Sequence, residues 1–107
     1  MTWHLRILPR ARRDADRIVL WLLERDAAAA GRWFDAFEAA ANSIERAPHS
    51  YSLAPEDEFV DWEIRQFFFR TRRGRTYRGL FTIIDHEIRV MRVRGPGQAL
   101  IEPFDLH

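Results

Sequence analysis

A chain of 107 residues has room for one hydrophobic core and little else, so residues 1–107 read as a single domain. An apolar share of 47%, with four Trp and eight Phe, excludes a disordered chain, and no apolar run approaches the roughly 18 residues of a membrane span. The net charge of +1 conceals a polarised molecule, because residues 1–64 carry −4, residues 65–94 carry +7 and the remainder carries −2.

Trp3, Leu5 and Ile7 alternate with His4 and Arg6, which predicts a short first strand. Pro9 suits the first turn of a helix, where its missing N–H would have no partner anyway. Ala11, Ala15, Ile18, Val19 and Leu22 then recur at helical spacing, so a first helix is expected over about residues 10–26. Leu20, Trp21 and Leu23 widen its apolar stripe beyond one face, leaving surface for something else to cover. After a break near Asp26, Ala30, Trp33, Phe34, Phe37, Ala40, Ala41 and Ile44 form the apolar face of a second helix, expected over about 28–47 and ended by Pro48. The short connection predicts an antiparallel helical hairpin.

His49 to Glu58 is a polar connection, acidic at its end. From Glu58 to Arg94 the chain alternates apolar and polar residues in three long pieces, broken by TRRGR and by Asp85-His86. That pattern predicts a three-stranded antiparallel meander. The first strand pairs most simply with it, giving a β-α-α-β-β-β order: an α+β fold with a helical hairpin on a four-stranded, mainly antiparallel sheet. Gly95-Pro96-Gly97 breaks the last strand.

The basic stretch is the electrostatic footprint of a protein that meets phosphate or an acidic partner. All 17 basic residues are arginine, from coding bias or from a preference for bidentate anion contacts. Strand alternation places Val60, Trp62, Ile64 and Phe68 on one face and Glu63, Arg65, Phe67 and Phe69 on the other. It sets Arg78 beside Leu80, Thr82 and Ile84, and Tyr77 beside Phe81 and Ile83. A helical hairpin covers one face only, so some of Phe67, Phe68, Phe69 and Phe81 are expected on an open side among arginines.

At Trp62-Glu63-Ile64-Arg65, Tyr77-Arg78-Gly79-Leu80-Phe81 and Ile88 to Arg94 the chain resembles the RelE/ParE superfamily of toxins from type II toxin–antitoxin, or plasmid stabilisation, modules. Ala11 through Asp16 with Ile18 resembles the family's first helix, and Trp33 to Pro48 its second, so the likeness spans nearly the whole chain. It implies a small cytoplasmic, growth-inhibiting protein held by a cognate antitoxin in a hetero-oligomer. One branch of the superfamily cuts mRNA on the ribosome and the other poisons DNA gyrase. The absence of cysteine and of a leader-like apolar segment at the N-terminus agrees with the cytoplasm, and no membrane partner is expected.

The resemblance puts Arg65 and Arg78 at target- or phosphate-binding positions, with Arg94 and Gln98 next, and the charge density of the TRRGR loop adds Arg72 and Arg73, which read first as a solvated tip. Guanidinium groups can hold phosphate in a planar fork but stay protonated, which makes them poor bases. Metal-free RNA cleavage also needs proton carriers. Where RNA-cutting members place a lysine this chain has Glu63, and where they place a basic residue with Tyr or His it has GPGQALI. Arg65, Arg78, Glu63 and His86 are therefore weak catalytic candidates; Glu63 reads first as a solvated strand carboxylate and His86 as a turn residue. His49 and Tyr51 read as capping or packing groups, and His4 and His107 lie near the termini with nothing in sequence to orient them. Trp21, Phe67, Phe69 and Phe81 are expected to meet the antitoxin. No His pair has ligand spacing and no glycine-rich loop opens a helix, so neither a metal nor a cofactor is expected. The ParE-like reading, inhibition of gyrase by binding, is preferred over the ribosome-dependent endonuclease. A degenerate, non-toxic module that binds an antitoxin is the third reading.

Overall fold

The computed structural model describes residues 2–98, 100–102 and 106. Its elements run β1 (His4–Ile7), α1 (Pro9–Leu23), α2 (Ala27–Ser43), β2 (Arg65–Phe69), β3 (Tyr77–Ile84) and β4 (Glu87–Arg94). Three short 3-10 turns, Ile44–Arg46, Pro48–Ser50 and Pro55–Phe59, connect α2 to β2. The expected β-α-α-β-β-β order is present. Strand order is β1-β4-β3-β2, with β2, β3 and β4 antiparallel and β1 parallel to β4.

Pro9 occupies the start of α1, and α2 opens on Asp26, whose Oδ1 accepts from the N–H groups of Ala28 at 3.0 Å and Ala29 at 3.3 Å. That cap fixes the break between the helices. α1 packs over β4 and α2 over β2. Between helices and sheet lies an aromatic core in which Trp33 stacks on Phe37 and meets Phe69 and Tyr77, while Phe67 meets Phe81. Gly79 lies under the Phe67 ring so closely that a Cβ there would collide with it.

Asp14 ties α1 to the sheet. Beyond Ile7 the outer edge of β4 has no strand to pair with, and the Asp14 carboxylate takes over, accepting from Val93 N at 2.9 Å and from Arg92 Nε at 2.7 Å. Opposite, a bulge sets Leu80 against Arg92 and Phe81 against Val90, leaving Met91 without a cross-strand partner on β3.

The second sheet face is not open, which departs from the sequence expectation. Residues 53–64 do not extend the first meander strand; they fold back over the sheet, and β2 begins only at Arg65. Ala54 N donates to Ile64 O at 2.8 Å, and Asp57 Oδ1 accepts from Ile64 N at 2.8 Å, closing the segment on itself. Ala54, Ile64, Leu80, Ile101 and Leu106 form a second buried cluster, flanked by Val60 and Trp62. At its centre Glu56, with no exposed surface, grips Arg78 at 2.8 and 2.6 Å and accepts from Ile101 N at 3.1 Å. One carboxylate thus joins the connection, β3 and the C-terminal segment.

The helices also end earlier than their apolar spacing predicts. α1 stops at Leu23 and α2 at Ser43, the latter tightening into a 3-10 turn before Pro48.

Candidate functional site

At one end of the sheet the two helices, the β2–β3 loop and the turn after β4 enclose a cleft of about 1050 Å³. Its apolar wall is helical: Ile18, Trp21 and Leu22 come from α1, and Ala29 and Trp33 from α2. Of the excess apolar residues of α1 anticipated from its sequence, Trp21 lines this wall, whereas Leu20 and Leu23 do not. Trp21 is 52% exposed, and Leu20 and Leu23 are also exposed on the same helix. Arg25 lies 3.8 Å from the Trp21 ring centroid and donates to the Trp21 carbonyl at 2.8 Å, which holds the indole in place.

The remaining walls are cationic. Arg72, Arg73 and Arg75 stand on the β2–β3 loop, Arg17 on α1 and Arg32 on α2. Among the described residues, no carboxylate lines the cleft. Among the described residues, Arg17, Arg72, Arg73 and Arg75 have no ion-pair partner, while Arg32 lies 3.7 Å from Asp26. The loop turns at Gly74, whose N–H donates to Thr71 O at 3.1 Å. Across from it Gly97 takes φ +76°, a conformation that favours glycine. The turn this permits brings Gln98 back, so that its Oε1 accepts from Gly95 N.

Tyr77, where β3 enters the cleft, is among the described residues the one titratable lining group that is not an arginine. Burial raises its phenol pKa while Arg75 pulls it down, and the net direction is upward, so the hydroxyl stays protonated at neutral pH. The cleft therefore offers positive charge, aromatic surface and the hydroxyls of Tyr77 and Thr71. It offers no base.

The residues singled out from sequence divide sharply. Arg72, Arg73, Gln98 and Trp21 are brought together here. Arg65 and Arg78 are not available in the way expected of phosphate binders. Arg65 donates to the carbonyls of Tyr51 at 2.5 Å and His49 at 3.2 Å and pairs with Glu63 at 2.8 Å. Both guanidinium arms of Arg78 are filled by Glu56. Burial and the neighbouring Arg92 pull the pKa of Arg94 below its ordinary value, and its side chain lies outside the cleft wall.

Glu63 is exposed and paired to Arg65, on the connection preceding β2 rather than on a strand. His86 sits in the turn at the far end of β3, roughly 23 Å of extended chain from Tyr77. There it packs against Trp3, with ring centroids 6.1 Å apart, and Trp3 also meets His49. His107 lies outside the described residues. Phe67, Phe69 and Phe81 require a correction. They are 2%, 7% and 0% exposed, buried beneath the helices, and so offer no surface to a partner; Phe68, on the opposite face of β2, is the exposed one at 57%. Sequence reasoning singled out neither Glu56 nor Asp14.

No group of three or more metal-ligating side chains occurs among the described residues, and no helix among them is long and apolar enough to cross a membrane.

Residues 5–99 match the family model of the ParE toxin of the type II toxin–antitoxin system parDE. Toxin RelE1 of Caulobacter vibrioides is 44% identical over 48 residues, which covers 45% of this chain and 52% of that protein. A mutant of E. coli toxin RelE in the free state aligns over 91% of this chain and 86% of its own, with 15% identity and a TM-score of 0.49. With the family match spanning nearly the whole domain, the chain belongs to the ParE toxin family, within the RelE/ParE superfamily of type II toxin–antitoxin toxins.

Proposed function

We propose that this toxin acts as a ParE-like inhibitor: it binds DNA gyrase in the cytoplasm through its arginine-lined cleft, and a cognate antitoxin neutralises it. The observation that carries this reading is the chemistry of the cleft. Positive charge and apolar surface are concentrated there without a general base, which suits a binding inhibitor better than a metal-free ribonuclease. The family match is to a ParE toxin, the branch this reading follows. The exposed ridge of Leu20, Trp21 and Leu23 beside the cleft is where an antitoxin segment with an apolar face would cover the toxin.

The test is DNA supercoiling by purified gyrase with the toxin titrated in. Inhibition that Arg72→Ala and Arg73→Ala weaken supports the reading; undiminished supercoiling at saturating toxin refutes the gyrase target.

One feature favours a second reading, the ribosome-dependent mRNA endonuclease. A protonated Tyr77 beside Arg75 is placed to donate a proton to a leaving oxygen. Cleaved messages in arrested cells, lost in Tyr77→Phe, would support it.

A further inference from the structure

Four arginines of the sheet are held by carboxylates of their own chain, whereas four of the five that line the cleft are not, among the described residues. Arg65, Arg78, Arg89 and Arg92 are each paired with a carboxylate of their own chain, Glu63, Glu56, Glu87 and Asp14 respectively. The cleft arginines Arg17, Arg72, Arg73 and Arg75 have no such pair among the described residues. Three of these four stand within four residues on one loop, so their charge is concentrated at a point rather than strung along a track. A track for a long strand would continue over the sheet, where the arginines are already occupied.

Aromatic faces complete the cleft. Trp21 is half exposed and backed by Arg25, and Tyr77 stands on the loop side. Trp33 also lines the cleft, and its Nε1 is buried without an acceptor among the described residues. The volume of about 1050 Å³ lies at the upper end of ordinary small-molecule sites, roughly 300–1,000 Å³.

We propose that the cleft binds a free nucleoside polyphosphate. The phosphates sit against Arg72, Arg73 and Arg75 with Arg17 across from them, and the base lies against Trp21 and Tyr77. Guanidinium forks match phosphate oxygens, and base–aromatic stacking contributes without demanding a particular base. The inference rests on the cleft being the recognition site proposed above, and adds a small ligand that would occupy it.

Calorimetric titration of the full chain at physiological ionic strength tests this, with ATP, GTP, inorganic triphosphate, a short oligothymidylate and polyglutamate as probes. The expected result is saturable binding of ATP and GTP, about tenfold or more tighter than inorganic triphosphate, as stacking of the base requires. Arg73→Ala should weaken every phosphate probe, whereas Trp21→Ala should erase the nucleotide's advantage over inorganic triphosphate. Both side chains are exposed, and circular dichroism confirms that the variants fold. Absence of saturable nucleotide binding overturns the proposal. So does inorganic triphosphate binding as tightly as ATP, since the cleft would then be an anion site only. Tighter oligothymidylate assigns the cleft to a strand, and tighter polyglutamate to a protein's carboxylates; either result overturns it. Gyrase inhibition is read in a separate assay, so the two readings can fail independently.

Discussion

Glu56 carries a charge inside the protein, with no exposed surface and three hydrogen bonds that hold it there. Burial alone would push its carboxyl up, but the hydrogen bonds from Arg78 and Ile101 outweigh that, and its pKa falls below the ordinary 4.5. A carboxyl depressed by folding stabilises fully above its unfolded pKa. That contribution is lost as pH drops below about 4.5 and through the folded value, because the unfolded chain then binds the proton first. Denaturation midpoints should therefore decline on the acid side, and Glu56→Gln should flatten that decline. Glu56→Ala leaves Arg78 buried without its partner, which costs about 3–5 kcal/mol in urea unfolding at neutral pH. An unchanged midpoint would show that the pair does not hold the second face. Gly79→Ala tests the opposite core: its Cβ meets the Phe67 ring and should cost about 1–3 kcal/mol by overpacking.

Among the elements, α1 is held by its contact with the β4 edge rather than by its cap, since Leu8 at its N-cap makes no side-chain bond. Asp14→Ala removes the acceptor for the Val93 amide and should cost about 1–3 kcal/mol. Hydrogen exchange at Val93 should accelerate with it, and exchange that is unaltered would argue against the edge bond. Both helices, the β3–β4 hairpin and the sheet faces could be read from the sequence, because periods of 3.6 and 2 survive in α1, α2, β3 and β4. The segment from Glu58 to Ile64 deceived for a physical reason. Its alternation of Val60, Trp62 and Ile64 with acids is that of a strand, but Asp57 captures the Ile64 amide and folds the chain back. The same fold-back hid the roles of Glu56 and Arg78, since spacing in sequence says nothing about a carboxylate arriving 22 residues away. The cleft could be anticipated only in pieces: the loop arginines and the surplus apolar face of α1 were visible, their convergence was not.

For the whole molecule, the charge pattern separates structure from recognition. Carboxylates neutralise arginines over the body of the sheet, while the cleft keeps its positive charge exposed beside an apolar ridge. Because Arg72 and Arg73 are exposed on a loop, Arg72→Glu combined with Arg73→Glu should leave stability within about 0.5 kcal/mol while abolishing growth inhibition. Loss of folding in that variant, seen as a lowered Tm, would mean that the loop is structural instead.

The measurement that bears most directly on the central claim is induced expression of this chain alone in a bacterial host, with growth, DNA-damage response and message integrity followed together. A binding inhibitor of gyrase predicts arrest with a DNA-damage response and intact messages, relieved by the Arg72→Glu/Arg73→Glu variant. Arrest with rapid message cleavage would contradict it and turn attention to Tyr77. Unimpeded growth in the presence of soluble, folded protein would contradict toxicity itself.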